Sequence, residues 1–203
     1  MIALIDYNAG NLTSVKKALA TLGAAFIVPR APEDLADAAG IIVPGVGHFG
    51  ATKALGPEWI DAILARVGEG RPLLGICLGM QWLFEGSDEA GDLPGLGLLS
   101  GRCHRLGANG GGVKVPHVGW NSLAIERSES TILDGVATGA QVYFTHSYAA
   151  PLTGDTAAVT EHGERFASVV QRGYIAGVQF HPEKSGDVGL RILRNFVDSA
   201  RAL

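Results

Sequence analysis

The chain has 203 residues, 47% hydrophobic and 18% charged, with a formal net charge of -4; one core of ordinary domain size can be buried, and one domain over residues 1–203 is expected. The slight acidity, with no Lys/Arg cluster interleaved with aromatics, argues against a nucleic-acid surface. No apolar run approaches the roughly 20 residues of a membrane span, and "MIALIDYNAG" lacks the basic region and long apolar core of a signal peptide, so a cytoplasmic protein without membrane partners is expected.

In chain order, "IALI" (2–5), "AFIV" (25–28), "IIVP" (41–44) and "LLGI" (73–76) predict strands buried on both faces, and hence a parallel sheet. Between the first two, Leu12, Val15, Leu19 and Leu22 fall on one helical face, with Asn11 as its cap and Gly23 as its stop, which completes a βαβ unit. "GANGGG" (107–112) lacks the Gly-Lys-Ser/Thr ending of a phosphate loop and is expected to be an exposed turn. Further on, "VYFTHSYA", "TAAVT", "FASVVQ" and "IAGVQF" are strand-like runs with little helix between them, so the sheet becomes mixed or gains an antiparallel ribbon. From Val188 onward, apolar residues at Val188, Ile192, Phe196 and Ala200, with Leu193 and Val197 alongside, predict a closing amphipathic helix. The expected class is α/β: an open mixed, mostly parallel sheet flanked by helices.

Two cysteines, Cys77 and Cys103, do not suggest a disulfide framework. Cys77, in "GICLGMQ", follows the fourth predicted strand, and ligands of open α/β sheets gather beyond the carboxyl ends of strands. The Gly-x-Cys-x-Gly pattern parallels a nucleophile elbow, in which nearby glycines permit a tight turn and following N–H groups, starting with Leu78, point at the site. A free thiol is only about 3% ionised at pH 7, so such a cysteine needs a base. Among His48, His104, His117, His146, His162 and His181, the last stands in "QFHPEKSG", two residues before Glu183. In extended backbone residues two apart project to one side, and Pro182 limits the backbone between them, so Glu183 is placed to hold the ring. Cys77, His181 and Glu183 then form a triad with a thiol in place of a hydroxyl. Taken singly, Cys77 reads more readily as a buried core thiol and His-Pro-Glu as a solvated turn. Cys103 and His104 are adjacent, but no second ligand pair has zinc-site spacing; no metal or cofactor is expected, and Cys103 is read as structural.

These motifs resemble the class I, triad-type glutamine amidotransferases. Within them, "IDYNAGNLTSVKKAL", "PGVGHF", "GICLGMQWLFE", "VPHVGWN", "YFTHSY" and "GVQFHPEKSG" resemble, in order and across essentially the whole chain, segments of the glutaminase subunits of imidazole glycerol phosphate synthase. The resemblance implies hydrolysis of glutamine to glutamate and ammonia through a cysteine thioester. The ammonia would pass to a cyclase subunit of (β/α)8 fold, the heterodimer partner, which makes imidazole glycerol phosphate and AICAR in histidine biosynthesis. It also implies Cys77 as nucleophile, His181 as general base then acid, and Glu183 as its orienter. Oxyanion donors would come from Leu78 and from Val46 or Gly47, glutamine contacts from Gln81, His146, Ser147 and Tyr148, and partner contacts from Asn11, Trp120, Asn121 and Lys184. The glutaminase of pyridoxal phosphate synthase carries a Gly-Gly-Glu-Ser-Thr type segment where this chain has Pro44-Gly45-Val46-Gly47; those of anthranilate and GMP synthesis fit "VPHVGWN" and the Lys-Ser after "HPE" less well. Gly186 stands where the family pattern has a glutamine, and "EHG" (161–163) replaces a tyrosine-glycine. A stand-alone cysteine hydrolase and a non-catalytic scaffold subunit are the competing readings.

Overall fold

The computed structural model describes residues 1–107 and 112–202; the interior of the expected turn at 107–112 lies outside them. In chain order the elements are β1 (Ile2–Leu4), α1 (Leu12–Thr21), β2 (Phe26–Ile27), β3 (Gly40–Gly45), α2 (Pro57–Gly68), β4 (Leu73–Cys77), α3 (Leu78–Trp82), β5 (Gly86–Ser87), β6 (Arg102–Arg105), β7 (His117–Ser122), β8 (Ala124–Ile125), β9 (Gln141–His146), β10 (Tyr148–Ala149), β11 (Thr156–Glu161), β12 (Arg165–Arg172), β13 (Ile175–Val178) and α4 (Gly186–Arg201). Eight strands make one sheet in the order β2-β1-β3-β4-β13-β12-β11-β8. From β2 to β13 neighbours run parallel; β12, β11 and β8 extend the sheet antiparallel.

Successive strand residues point to opposite faces, and the core divides accordingly. Ile2, Leu4, Ile42, Leu74 and Ile76 face a layer that holds Val15 and Leu19 of α1 and Ile192, Leu193, Phe196 and Val197 of α4. Ala3, Ile5, Ile41, Val43 and Leu73 face the other layer, with Ile63 of α2 and Leu78, Met80 and Trp82 of α3. Both faces are thus covered, as continuous apolar strands require. Asn11 heads α1, but its backbone (φ -80°, ψ 62°) is outside the extended region of a capping residue, and its Nδ2 donates to Ser14 Oγ at 3.0 Å.

"VYFTHSYA" does not enter the large sheet. It is cut at Ser147 into β9, which pairs antiparallel with β7, and β10, which pairs antiparallel with β6. The break is held by the Ser147 carbonyl, which accepts from Leu106 N–H at 2.9 Å. It also turns residues 145–148 toward the end of β4, where the site lies.

Candidate active site

Cys77 ends β4 with φ 54° and ψ -108°, and α3 starts at the next residue. A side chain at positive φ is strained, and such strain persists where surrounding structure over-determines it. The flanking glycines serve a different purpose from the expected turn flexibility. A methyl group on Gly79 would lie 1.8 Å from the Val43 carbonyl oxygen, and one on Gly75 2.6 Å from the Gly79 backbone. Both let α3 press against β3 and β4, while the unusual φ is carried by the cysteine itself. Gly79→Ala is therefore expected to destabilise the fold by about 3 kcal/mol or more, read as a Tm lower by roughly 6–12 °C in thermal unfolding.

His181 and Glu183 meet Cys77 from the far end of β13. His181 Nδ1 lies 2.9 Å from Glu183 Oε1, and both side chains are 2% exposed. The pairing does not arise from extended backbone: Pro182–Lys184 is a single 3-10 turn. That turn is pinned by His181 N–H to the Tyr143 carbonyl (2.9 Å), Ser185 Oγ to the His181 carbonyl (2.6 Å) and Tyr143 N–H to Ser185 Oγ (3.0 Å). With Nδ1–H donated to the carboxylate, Nε2 is left buried beside the thiol, without a hydrogen bond of ordinary geometry among the described residues. Burial alone would lower this imidazole, but the Cys77 thiol and the Glu183 carboxylate outweigh it, and the ring is pushed up to about 10. Gln179, fully buried, donates Nε2–H to Cys77 Sγ at 3.7 Å. A thiol, an imidazole and a carboxylate in this order can create a thiolate and store its proton.

The thiol opens on a cavity of about 330 Å³ lined by Gly47, Leu78, Gln81, Glu89, His146, Tyr148 and their neighbours, a volume that suits a small molecule. Gln81, Ser147 and Tyr148 line it. Gln81 Nε2 donates to the Tyr148 carbonyl (2.8 Å) and to Gln179 Oε1 (3.1 Å), which leaves its own oxygen as the free group, an acceptor. His146 touches the cavity, but both ring nitrogens are engaged: Nδ1–H donates to the Tyr148 carbonyl (2.8 Å), and Nε2 accepts from His117 Nδ1–H (3.0 Å). Burial holds its pKa down at about 3, so the ring is neutral and buttresses Tyr148. Sequence reasoning missed Glu89. Its Oε2 accepts from Phe49 N–H at 2.6 Å, and it brings a carboxylate to the cavity wall from a short 3-10 turn with no distinguishing pattern.

Leu78 N–H, the first of α3, has no carbonyl within its own helix to bond. Val46 N–H is occupied: it donates to the Ala9 carbonyl at 2.5 Å. Gly47, at φ 90°, lines the cavity. The expected partner residues Trp120 and Lys184 come together on one surface, where Trp120 packs edge-on against Tyr143 at 6.1 Å and Lys184 Nζ lies 5.8 Å from the centre of the same ring. Trp120 is 57% exposed and Val118, two residues away on β7, 56%. Asn121 donates to the Glu161 carbonyl at 2.9 Å, and Asn11 heads α1, which packs against the Pro182–Lys184 turn. Gly186 opens α4 at φ 56°, a conformation that a glutamine there would strain. Cys103 is fully buried, and burial, then Asp88, pushes its thiol far above the usual range. Among the described residues no group of three or more His, Cys, Asp or Glu side chains is placed to hold a metal ion.

Residues 3–200 match the family model for glutamine amidotransferase class-I. The chain is 46% identical to the imidazole glycerol phosphate synthase subunit HisH of Gloeobacter violaceus, covering 98% of this chain and 89% of that one. It is 48% identical to the subunit of the same name from Halobacterium salinarum, covering 97% and 92%. A solved glutamine amidotransferase superposes with a TM-score of 0.75 at 24% identity, over 99% of this chain and all of that one, which speaks for the fold. The chain belongs to the class I glutamine amidotransferases and, within them, to the HisH subunits of imidazole glycerol phosphate synthase.

Proposed function

We propose that the chain is one cytoplasmic glutaminase domain that supplies ammonia to a cyclase subunit of (β/α)8 fold, with which it pairs as a heterodimer in histidine biosynthesis. The observation that carries this reading is the buried line of Cys77, His181 and Glu183 opening on a small-molecule cavity.

His181 holds a proton on Nε2, and the Cys77 thiolate beside it attacks the carboxamide carbon of glutamine. The oxyanion draws on Leu78 N–H and, once the Gly45–Val46 peptide has turned away from Ala9, on Val46 N–H. Collapse expels the amide nitrogen, which takes the His181 proton and leaves as ammonia, with a thioester at Cys77. His181 then deprotonates a water, which attacks the thioester, and glutamate departs with the thiol restored. At the other end of the substrate the α-ammonium group meets the Glu89 carboxylate and Gln81 Oε1, while the segment around Ser147 and Tyr148 holds the α-carboxylate side. With Val46 N–H held by Ala9, the isolated subunit has half of its oxyanion site. Docking of the cyclase on the Trp120, Tyr143 and Lys184 surface, which adjoins the His181 turn, supplies the stimulus to complete it.

A glutamine-mimicking electrophile is expected to modify Cys77 and spare Cys103, because Cys77 alone has a base and an opening to the cavity. Mass mapping of the adduct reads this directly, and preferential modification of Cys103 would remove the nucleophile from the mechanism.

A further inference from the structure

The Tyr7 hydroxyl is a buried polar group that the chemistry above leaves unused. The residue is 5% exposed, and the hydroxyl oxygen has no hydrogen-bond partner among the described residues. A buried hydroxyl left unpaired is costly, so its retention in a core position asks for a use. Its surroundings supply one. A methyl group built on Gly45 would lie 2.1 Å from the Tyr7 hydroxyl, 2.7 Å from Leu78 Cβ and 3.1 Å from Gly79 N. The hydroxyl therefore rests on the Cα of Gly45, at the junction of the oxyanion loop with the start of α3. Burial, and then the nearby charge of Cys77, push the phenol far above its ordinary range, so Tyr7 stays a neutral donor.

Gly45 carries the carbonyl of the peptide whose N–H belongs to Val46. In a planar trans peptide these two groups point in opposite directions. While Val46 N–H points at Ala9, the Gly45 carbonyl points away from Ala9. Turning that N–H toward the substrate swings the carbonyl to the opposite side, toward Ala9, while the Tyr7 hydroxyl lies against Gly45 itself. Without a donor there the turned peptide would bury an unsatisfied carbonyl, and the equilibrium would stay with the Ala9 arrangement.

We propose that Tyr7 is a positioning residue for the oxyanion site, whose O–H donates to the Gly45 carbonyl once the Gly45–Val46 peptide has turned its N–H toward the substrate. The hydroxyl is unpartnered at rest because its partner arrives only with that turn. The absence of a side chain at Gly45 is what allows the hydroxyl to sit against the peptide it receives. This rests on the glutaminase reading and names a part of it that stabilises the active arrangement alone.

The test is Tyr7→Phe, in the isolated subunit and in complex with the cyclase subunit, beside wild type and Cys77→Ala. Loss of one neutral hydrogen bond in the active arrangement predicts roughly a three- to tenfold fall in stimulated glutaminase kcat, with the KM for glutamine held within about twofold. Because the hydroxyl has no partner at rest, the Tm of the isolated variant should equal or exceed that of wild type. Wild-type stimulated kcat in Tyr7→Phe would overturn the proposal. So would a lowered Tm, which would mean that the hydroxyl is already bonded at rest. Failure of the underlying reading looks different: wild-type complex would show no glutamine turnover that Cys77→Ala removes.

Discussion

Cys77→Ala is expected to lower glutamine-dependent synthesis by the complex by at least about ten-thousandfold, because it removes the one atom able to form the thioester. The fold should survive. Alanine at this position keeps the positive φ and removes a single sulfur from a buried site, so the change in Tm should be a few degrees at most. Ammonium salt added to the variant complex should restore synthesis, since the partner's chemistry needs the nitrogen and not its source. Product formation with ammonium shows that the synthase chemistry is intact, and co-elution of the variant with the cyclase subunit separates a lost nucleophile from a damaged interface.

Glu183→Gln is expected to cost roughly 10²- to 10⁴-fold in stimulated kcat with little change in KM, the magnitude seen when the orienting carboxylate of a triad becomes an amide. Glu183 fixes the tautomer of His181 and helps to hold the imidazolium. It also leaves a signature in stability. The folded-state pKa of His181 is raised from 6.5 to about 10, so the folded chain binds a proton that the unfolded chain has lost. The associated stabilisation is full below about pH 6.5 and is lost as pH rises toward 10. Removing the carboxylate removes one of the groups that raise this pKa. Between those two pH values the Tm of wild type should therefore fall more steeply than that of Glu183→Gln, as thermal melts across the range would show. Parallel Tm curves would mean that Glu183 does not hold the imidazolium.

Much of this was legible in the sequence. Four continuous apolar runs announced the parallel strands, and the spacing of Ile192, Phe196 and Ala200 announced α4, because burial on two faces and burial on one stripe leave different periodicities. Cys77, His181 and Glu183 were legible as residue types beside strand ends. A 3-10 turn pinned by Ser185, and not an extended strand, brings Glu183 to the ring, a bend that the spacing of His181 and Glu183 does not reveal. The glycines around Cys77 were recognised, but what they accommodate is helix α3 lying against the Val43 carbonyl, a contact 36 residues distant in sequence and invisible to local pattern. Glu89 carried no signal because an acidic residue in a polar turn looks like any solvated carboxylate. Occupation of Val46 N–H by Ala9 was beyond reach for the same reason, since a peptide's orientation in a glycine-flanked loop is set by whichever acceptor the fold brings near.

The most direct test of the account supplies the wild-type complex with amide-¹⁵N glutamine together with an equal concentration of unlabelled ammonium at neutral pH, and reads the isotope in the imidazole product by mass spectrometry. The account predicts product labelled predominantly with ¹⁵N, one glutamate released for each product formed, and loss of the label in the Cys77→Ala complex. Product that carries mainly unlabelled nitrogen in the wild-type complex, or label that persists in the variant, would contradict it.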